Sequence, residues 1–577
     1  MKEVAADAGA GTRSSADSSW ADRFRSLSLN QYMCTLTPTR DIITSTYNRM
    51  KMLIVLVLST LSTLRLLMAA KIMIIPPIMF ESHLQIFRTM AKALHGQGHE
   101  VVIVVSDGRE VEQSPHYRSQ RYIGMFTTQT AEDFLQEKMR NIFSGKLTSL
   151  QLFNILDSYT ANCDLMVSNR DLEERLREEN FDLLLVDPNE MCGYVYAEIL
   201  GVKHVTFSTG LWFPAELGAP SPISYVPEFN SLMTDRMNLL ERAWNSLIYV
   251  VSRVGTRWAI LPKYDAIVRK RKPGGSRSML EVVQGSSMFL LCTDVSLEFP
   301  RPSLPSIVFV GGILTRHANP LSEELMQWVD QAEHGVVVIS FGAGVKYLSE
   351  ELSTKLAMAA ARLPQRTIWR YFGTKPKCLG NNTKLMEWIP QNDLLGHRNV
   401  KAFLSHGGLN GIYESIYHGI PVVGIPFFGD HYDIMTRVHA KGMGIYLPWN
   451  TMTTEDIYQA LTTVTTDPRY KKQAMHLSKL FRDQPLHPVN RTVYWLDYVL
   501  RHDGAAHLRP ALYEMSFYQY HMLDVAAIFT ACAVIFCYCF FRLLSGMKKR
   551  VLPEVISSYM QNGFQKQTII SDSKKRN

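Results

Sequence analysis

The apolar run Ala402-Phe403-Leu404 delivers Ser405-His406-Gly407-Gly408 to the start of a predicted helix. Free backbone N–H groups at a helix N-terminus favour an anion, and glycines let a phosphate come close to them. His406 has a ring N–H to offer the same anion. Glu414 lies two helical turns further on the same face, where a carboxylate accepts from both hydroxyls of a ribose. Upstream, Trp388 presents a flat apolar face to a base ring. A buried Trp or a helix-capping glycine pair is ordinarily structural, so the order and spacing of the set carry the reading.

A second constellation sits in the first half of the chain. His83 lies just past the apolar run Ile72–Ile75, at the entrance to a predicted helix, and Asp187 closes the run Leu183–Val186. An imidazole titrates near neutrality and suits a general base; a carboxylate that orients it and stabilises its protonated form improves it. Both positions are carboxyl ends of predicted strands, so both point at one rim. Taken alone, each also reads as a helix cap or a turn.

The elements that must position these residues form an α/β chain. Short apolar runs alternate with helical stretches, the pattern of parallel sheets covered by helices. Val101–Val105, Val205–Phe207, Phe289–Leu291 and Ile307–Val310 continue the first set, with a helix predicted from Leu84 to His95. Val336–Ile339, leading into Ser340-Phe341-Gly342-Ala343-Gly344, opens a second set with Thr367–Arg370, Ala402–Leu404 and Val422–Ile425. The sets meet around Leu314–Ser322, which predicts two Rossmann-like domains, 71–318 and 319–500, facing a cleft. Ligands bind at the carboxyl ends of such sheets. From Pro227 to Val254 the apolar spacing predicts one amphipathic helix, packed on the core or resting on a membrane as the lip of an acceptor pocket.

A length of 577 residues with 20% charged and 46% hydrophobic residues excludes wholesale disorder and a many-helix membrane protein. Most of the +8 net charge falls beyond Arg542, so no basic, aromatic-laced face speaks for nucleic acid. The eight cysteines form neither a CxxC nor a zinc spacing, so no metal site is expected and, in a domain this large, no disulfide framework. Residues 1–49 read as an unstructured extension and 50–70 as a secretory signal, with translation expected to start at Met50 or Met52. After a juxtamembrane segment at 501–524, the charge-free run Val525–Phe541 predicts a transmembrane helix over 525–544. Lys548-Lys549-Arg550 begin a basic tail, 545–577, which predicts a single-pass type I topology with the body luminal. The ending Lys574-Lys575-Arg576-Asn577 is similar to a dilysine retrieval signal of the endoplasmic reticulum. Sequons at Asn381 and Asn490 agree with a luminal body.

The segment WIPQNDLLGHRNVKAFLSHGGLNGIYESIYHGIPVVGIPFFGDHYD resembles the signature of the UDP-glycosyltransferase family, and the resemblance extends over most of residues 71–545. FESH, VDPN, FSTGLWFPAELGAP, CTDVSLEFPRP, SFGAGVKYLS and FRDQPLHPVNRTVYWLDY add to it. It implies a GT-B fold with the acceptor site in the first domain and the donor site in the second. Trp388 would stack on uracil with Gln391 nearby. His406, Gly407 and Gly408 would hold the diphosphate, with Gly342 and Asn410 in support, Glu414 would take the ribose, and Asp430 with His431 would read the sugar. His83 and Asp187 would be the catalytic pair of an inverting transfer that needs no metal and no cofactor. The implied reaction moves galactose from UDP-galactose to the primary hydroxyl of ceramide. Most members have Asp-Gln where this chain has Asp430-His431, a change that fits an axial 4-hydroxyl and weakens any carry-over of glucose or glucuronate specificity. Two other readings stand beside it: conjugation of glucose or glucuronate to small lipophilic aglycones, and a non-catalytic protein binding lipid or sugar nucleotide. The partners expected are the UDP-sugar, the lipophilic acceptor and membrane lipid, with homo-oligomerisation left open.

Overall fold

The computed structural model describes residues 50–54, 69–78, 81–107, 109, 113–144, 149–209 and 219–573. The chain separates into two units, Met1–Ala69 and Ala70–Asn577. In the first unit, residues 50–54 are helical; the expected extension at 1–49 and most of the expected signal sequence lie outside the described residues.

The second unit is built on two sheets, every ladder of which is parallel. The first contains β1 (Lys71–Ile75), β2 (Glu100–Ser106), β3 (Arg118–Tyr122), β4 (Leu183–Val186), β5 (His204–Ser208), β6 (Phe289–Leu291) and β7 (Ile307–Phe309), in the order β3-β2-β1-β4-β5-β6-β7. The second contains β8 (Val336–Ser340), β9 (Arg366–Arg370), β10 (Thr383–Met386), β11 (Val400–Ser405), β12 (Val422–Gly424) and β13 (Gly444–Tyr446), in the order β10-β9-β8-β11-β12-β13.

Burial on both faces explains why the central strands are unbroken apolar runs. In β1, Ile72 and Ile74 enter one core while Met73 and Ile75 enter another, and Leu183 and Leu185 alternate with Leu184 and Val186 in the same way. In the second sheet Val336 and Val338 face away from Val337 and Ile339. The edge strands β3, β10 and β13 were not expected; Arg118-Ser119-Gln120-Arg121 and Thr383-Lys384 carry little apolar signal because one side of an edge strand meets solvent.

Three further departures matter for the site. The helix expected over Pro227–Val254 begins only at Leu239, where Asn238 and Glu241 form a capping box, and runs to Gly255. Before it, Pro220, Pro222 and Pro227 and the left-handed residues Asn230 and Leu232 hold an irregular loop. No disulfide framework was expected, yet Cys163 and Cys192 are joined in a disulfide that ties the Ser149–Ser168 helix to Cys192–Leu200. The helix Pro488–Arg501 follows the second sheet in the chain but buries Val493, Leu496 and Val499 in a core of the first. Asp497 fixes it there through His99 Nε2 at 2.7 Å.

Beyond it a helix runs from Leu523 to Ser573, and its stretch Leu523–Gly563, unburied in the fold, is long and apolar enough to cross a bilayer. The expected tail is therefore helical as far as Ser573, and its last four residues lie outside the described residues.

Close packing at the strand that carries Asp187 can be tested through Gly193. A Cβ there would lie 2.7 Å from Val186 Cγ1. Helix propensity alone favours Gly193→Ala by about 1 kcal/mol, whereas overpacking costs about 1–3 kcal/mol. The variant is expected to unfold at lower temperature than the parent by differential scanning fluorimetry; a more stable variant would show this contact to be slack.

Candidate active site

The pairing of β1 with β4 puts Ile75 beside Val186, so the chain leaves both strands at the same edge. His83, in the first turn of the helix Glu81–Gly96, and Asp187, one residue past β4, meet there with Nδ1 and Oδ2 2.7 Å apart. Asp187 is fully buried. Its other oxygen accepts from Asn189 N and Asn189 Nδ2, both at 2.9 Å. An anchored carboxylate of this kind selects the tautomer that donates Nδ1–H and leaves Nε2 basic. Thr209 Oγ1, just past β5, lies 3.3 Å from Nε2. Asn189 and Thr209 were not singled out from sequence; both stand within three residues of a strand end in quoted motifs, which was the available signal.

The second sheet contributes its own carboxyl ends. Ser405 of β11 pairs with Ser340 of β8 and Gly424 of β12, so the turns at Gly342, His406 and Phe427–Asp430 are neighbours. The His406 ring lies between two glycines: a Cβ on Gly342 would sit 2.7 Å from its Cε1 and one on Gly408 2.5 Å from its Nε2. Gly342 and Gly407 are also left-handed, at φ 74° and 88°. Gly408 caps the helix Leu409–His418, and among the described residues no side chain caps its first-turn N–H groups, which include those of Leu409 and Asn410. Burial pushes the His406 imidazole down to about 3, with the Arg370 cation adding to the shift, so it is neutral at pH 7. Its Nδ1 has no hydrogen-bond partner among the described residues.

His431 packs edge-on against that ring with centroids 4.5 Å apart and touches Phe428 on another side. It is buried, its Nδ1 also lacks a partner among the described residues, and burial holds it well below the usual imidazole range. Glu414 accepts from Gln391 Nε2 at 2.6 Å; burial pushes this carboxyl up to about 7 against the pull of that amide. Trp388, 66% exposed, stands at the outer end, with the Arg370 guanidinium 5.4 Å from its ring centre. Arg370, read from sequence only as the end of a strand, also donates to Gly342 O and thereby links the Trp388 end of the row to the His406 end.

The two sets face each other. Burial pushes the Asp430 carboxyl up to about 6, and the strongest opposing influence is the imidazole of His83 in the first half. Buried polar contacts hold this approach. Arg437 Nε donates to Glu298 Oε2 at 2.6 Å, and Asp433 Oδ2 accepts from Asn230 N at 2.9 Å. Thr293 Oγ1 donates to Glu298 Oε1 at 2.7 Å and lies 3.0 Å from the Tyr413 hydroxyl. Asp433 and Arg437 belong to the helix His431–Ala440, whose N-cap Asp430 and first residue His431 are the pair expected to read the sugar.

Asn381 is exposed before β10; Asn490 is exposed in the first turn of Pro488–Arg501, although the Thr492 of its sequon is buried. Among the described residues no group of three or more His, Cys, Asp or Glu side chains is arranged to hold a metal ion.

The chain is similar in sequence and in fold to known proteins. The model of the UDP-glucoronosyl and UDP-glucosyl transferase family matches residues 70–555. A 2-hydroxyacylsphingosine 1-beta-galactosyltransferase of Rattus norvegicus is 58% identical over 504 residues, 86% of this chain and 93% of its own length. The Homo sapiens protein of that name is 59% identical over 495 residues, 86% and 91% of the two chains. UDP-glucuronosyltransferase 2C1 of Oryctolagus cuniculus is 37% identical over 470 residues, 78% and 93%. Among solved structures, the calicheamicin glycosyltransferase CalG4 superposes with a TM-score of 0.54 at 16% identity, covering 75% of this chain and 98% of its own, which supports the two-domain GT-B fold.

Removing one member of a buried ion pair strands the other, at a cost of about 3–5 kcal/mol. Glu298→Ala is therefore expected to lower the melting temperature clearly, and Glu298→Gln, which keeps an acceptor oxygen, to lower it less. Equal melting of both variants and the parent would show that the pair does not hold the halves together.

Proposed function

The chain belongs to the UDP-glycosyltransferase family, and from that premise we propose that it transfers galactose from UDP-galactose to the primary hydroxyl of ceramide, giving β-galactosylceramide. The observation that carries the catalytic part is the His83–Asp187 contact at 2.7 Å, with Asp430 of the opposite half within electrostatic reach of His83. The acceptor and sugar are supported by the identity of 58–59% to the galactosyltransferases over most of both chains.

In this reading His83 Nε2 takes the proton of the acceptor hydroxyl while Nδ1–H stays on Asp187, which stabilises the imidazolium that forms. The hydroxyl oxygen attacks the anomeric carbon from the face opposite the diphosphate, so an α-linked donor yields a β-linked product. UDP leaves against the N–H groups that begin the helix Leu409–His418 and the neutral His406, where developing negative charge is best met. Trp388 stacks on uracil beside Gln391, Glu414 accepts the ribose hydroxyls, and Asp430 with His431 contacts the sugar. Gly342 and Gly407 leave room for the diphosphate, with Asn410 beside it. The proposal routes no step through a metal or cofactor. We place the body in the lumen of the endoplasmic reticulum, anchored by the Leu523–Gly563 stretch, on the strength of the basic residues that follow Arg542.

His83→Ala is expected to lower turnover by about 10²–10⁴ with UDP affinity kept within about twofold, whereas His406→Ala should weaken UDP binding first; calorimetric titration and a radiolabelled-galactose assay separate the two. Equal loss of both quantities in His83→Ala would overturn its assignment as base. Microsomes given UDP-galactose, UDP-glucose and UDP-glucuronate in parallel, with ceramide or a small phenol, should form galactosylceramide fastest; faster glucuronidation of the phenol would favour the aglycone reading.

Glu414 also predicts a pH dependence. Its carboxylate form, which accepts both ribose hydroxyls, is gained as pH rises through about 7. UDP-galactose affinity is expected to tighten about tenfold from pH 6 to pH 8, and Glu414→Gln should flatten that dependence. A parent profile that is already flat would contradict the role.

A further inference from the structure

The helix Leu239–Gly255 is anchored by one face only. Asn245 is buried on it: its amide donates to Ile223 O and Val226 O at 2.8 and 2.9 Å, and its oxygen accepts from Glu228 N at 2.7 Å. On the other side Leu240, Trp244, Leu247, Val251 and Val254 recur at helical spacing as one apolar stripe, and every one of them is exposed. Leu240 is 79% exposed, and Trp258 in the following π-helical turn 81%. Leu232, held left-handed in the preceding loop, is exposed as well.

A continuous apolar face of this size on a folded body calls for a covering partner. Its surroundings favour lipid. The segment 235–263 is basic, with Arg236, Arg242, Arg253, Arg257 and Lys263 against Asp235 and Glu241. Large aliphatic residues and two tryptophans on one face of a basic segment are the composition of a helix lying in a membrane interface. The same unit carries the apolar stretch Leu523–Gly563, long enough to span a bilayer, so such a surface stands at high effective concentration. The stripe is also coupled to the cleft: Trp244 Nε1 donates to Ser231 O, and Asn230, one residue earlier, donates to Asp433 of the donor-side helix.

We propose that the exposed face of Leu239–Gly255, with Trp258, inserts into the surface of the lipid bilayer that anchors the chain and sets the rim of the cleft at headgroup level. A lipid acceptor then passes from the bilayer to His83 without entering water. This last step rests on the reading of a lipid acceptor; the membrane contact does not.

The full chain in phosphatidylcholine vesicles distinguishes the outcomes. Lipids brominated along their acyl chains should quench tryptophan fluorescence, and Trp258→Phe should remove a measurable share of that quenching. The triple variant Leu240→Glu, Leu247→Glu, Val251→Glu should lose at least about tenfold of its turnover on long-chain ceramide in vesicles while keeping its rate on a dispersed short-chain ceramide within about twofold. No change in quenching with Trp258→Phe, or equal loss of rate on both acceptors, overturns the proposal. So does conversion of a dimer into a monomer by the triple variant with vesicle turnover unchanged, because the stripe would then be a seam between two copies. If the parent forms no galactosylceramide from either acceptor yet Trp258 is quenched, the membrane contact stands and the acceptor assignment falls.

Discussion

A buried guanidinium clasped from both sides holds the two sheets with their carboxyl ends together. Arg437 reaches Glu298 of the first half while its neighbour Asp433 takes the backbone N–H of Asn230. A charge in that setting tolerates only a fully partnered geometry, since leaving it unpaired costs several kcal/mol. The bonds therefore define the separation of the halves more sharply than apolar contact would. Because Asp433 and Arg437 belong to the helix that Asp430 caps and His431 begins, the same clasp sets where Asp430 and His431 stand relative to His83.

Within each half, the site is made of what strands leave at their ends. On one sheet, adjacent strands hand over His83, Asp187 and Thr209; on the other they hand over Gly342, His406, the turn before Asp430, Arg370 and Trp388. The corner around His406 depends on missing side chains. His406 fits only because Gly342 and Gly408 have no Cβ, and its neutrality follows from that enclosure. A neutral imidazole can donate one hydrogen bond to a diphosphate without bringing a buried cation that would need a partner when the site is empty.

Much of this was legible in the residues, for a physical reason. Strands buried on both faces are unbroken apolar runs, so β1, β4, β8 and β11 could be located and the residues just past them picked out as cleft residues. The pairing of His83 with Asp187 followed from that placement, across 104 positions of sequence. The edge strands escaped notice because half of each faces solvent. The loop before Leu239 escaped because its apolar residues mimic helical spacing, while the turn chemistry of Asn230 and Leu232 leaves no periodic mark. The clasp was invisible: Glu298 and Arg437 are 139 residues apart, and neither type nor spacing announces a buried pair between domains. The disulfide was missed because a large core makes crosslinks unnecessary, which is an argument about need rather than about geometry.

The central claim is that the imidazole of one half stands behind the anomeric carbon of a nucleotide sugar held by the other. A structure of the full chain bound to an unreactive UDP-galactose analogue tests it directly. The account predicts the diphosphate at Gly407–Leu409, the galactose beside Asp430, and the anomeric carbon open toward His83 Nε2 on the side away from the phosphates. A sugar ring turned outward, or a diphosphate lying between the anomeric carbon and His83, would contradict it.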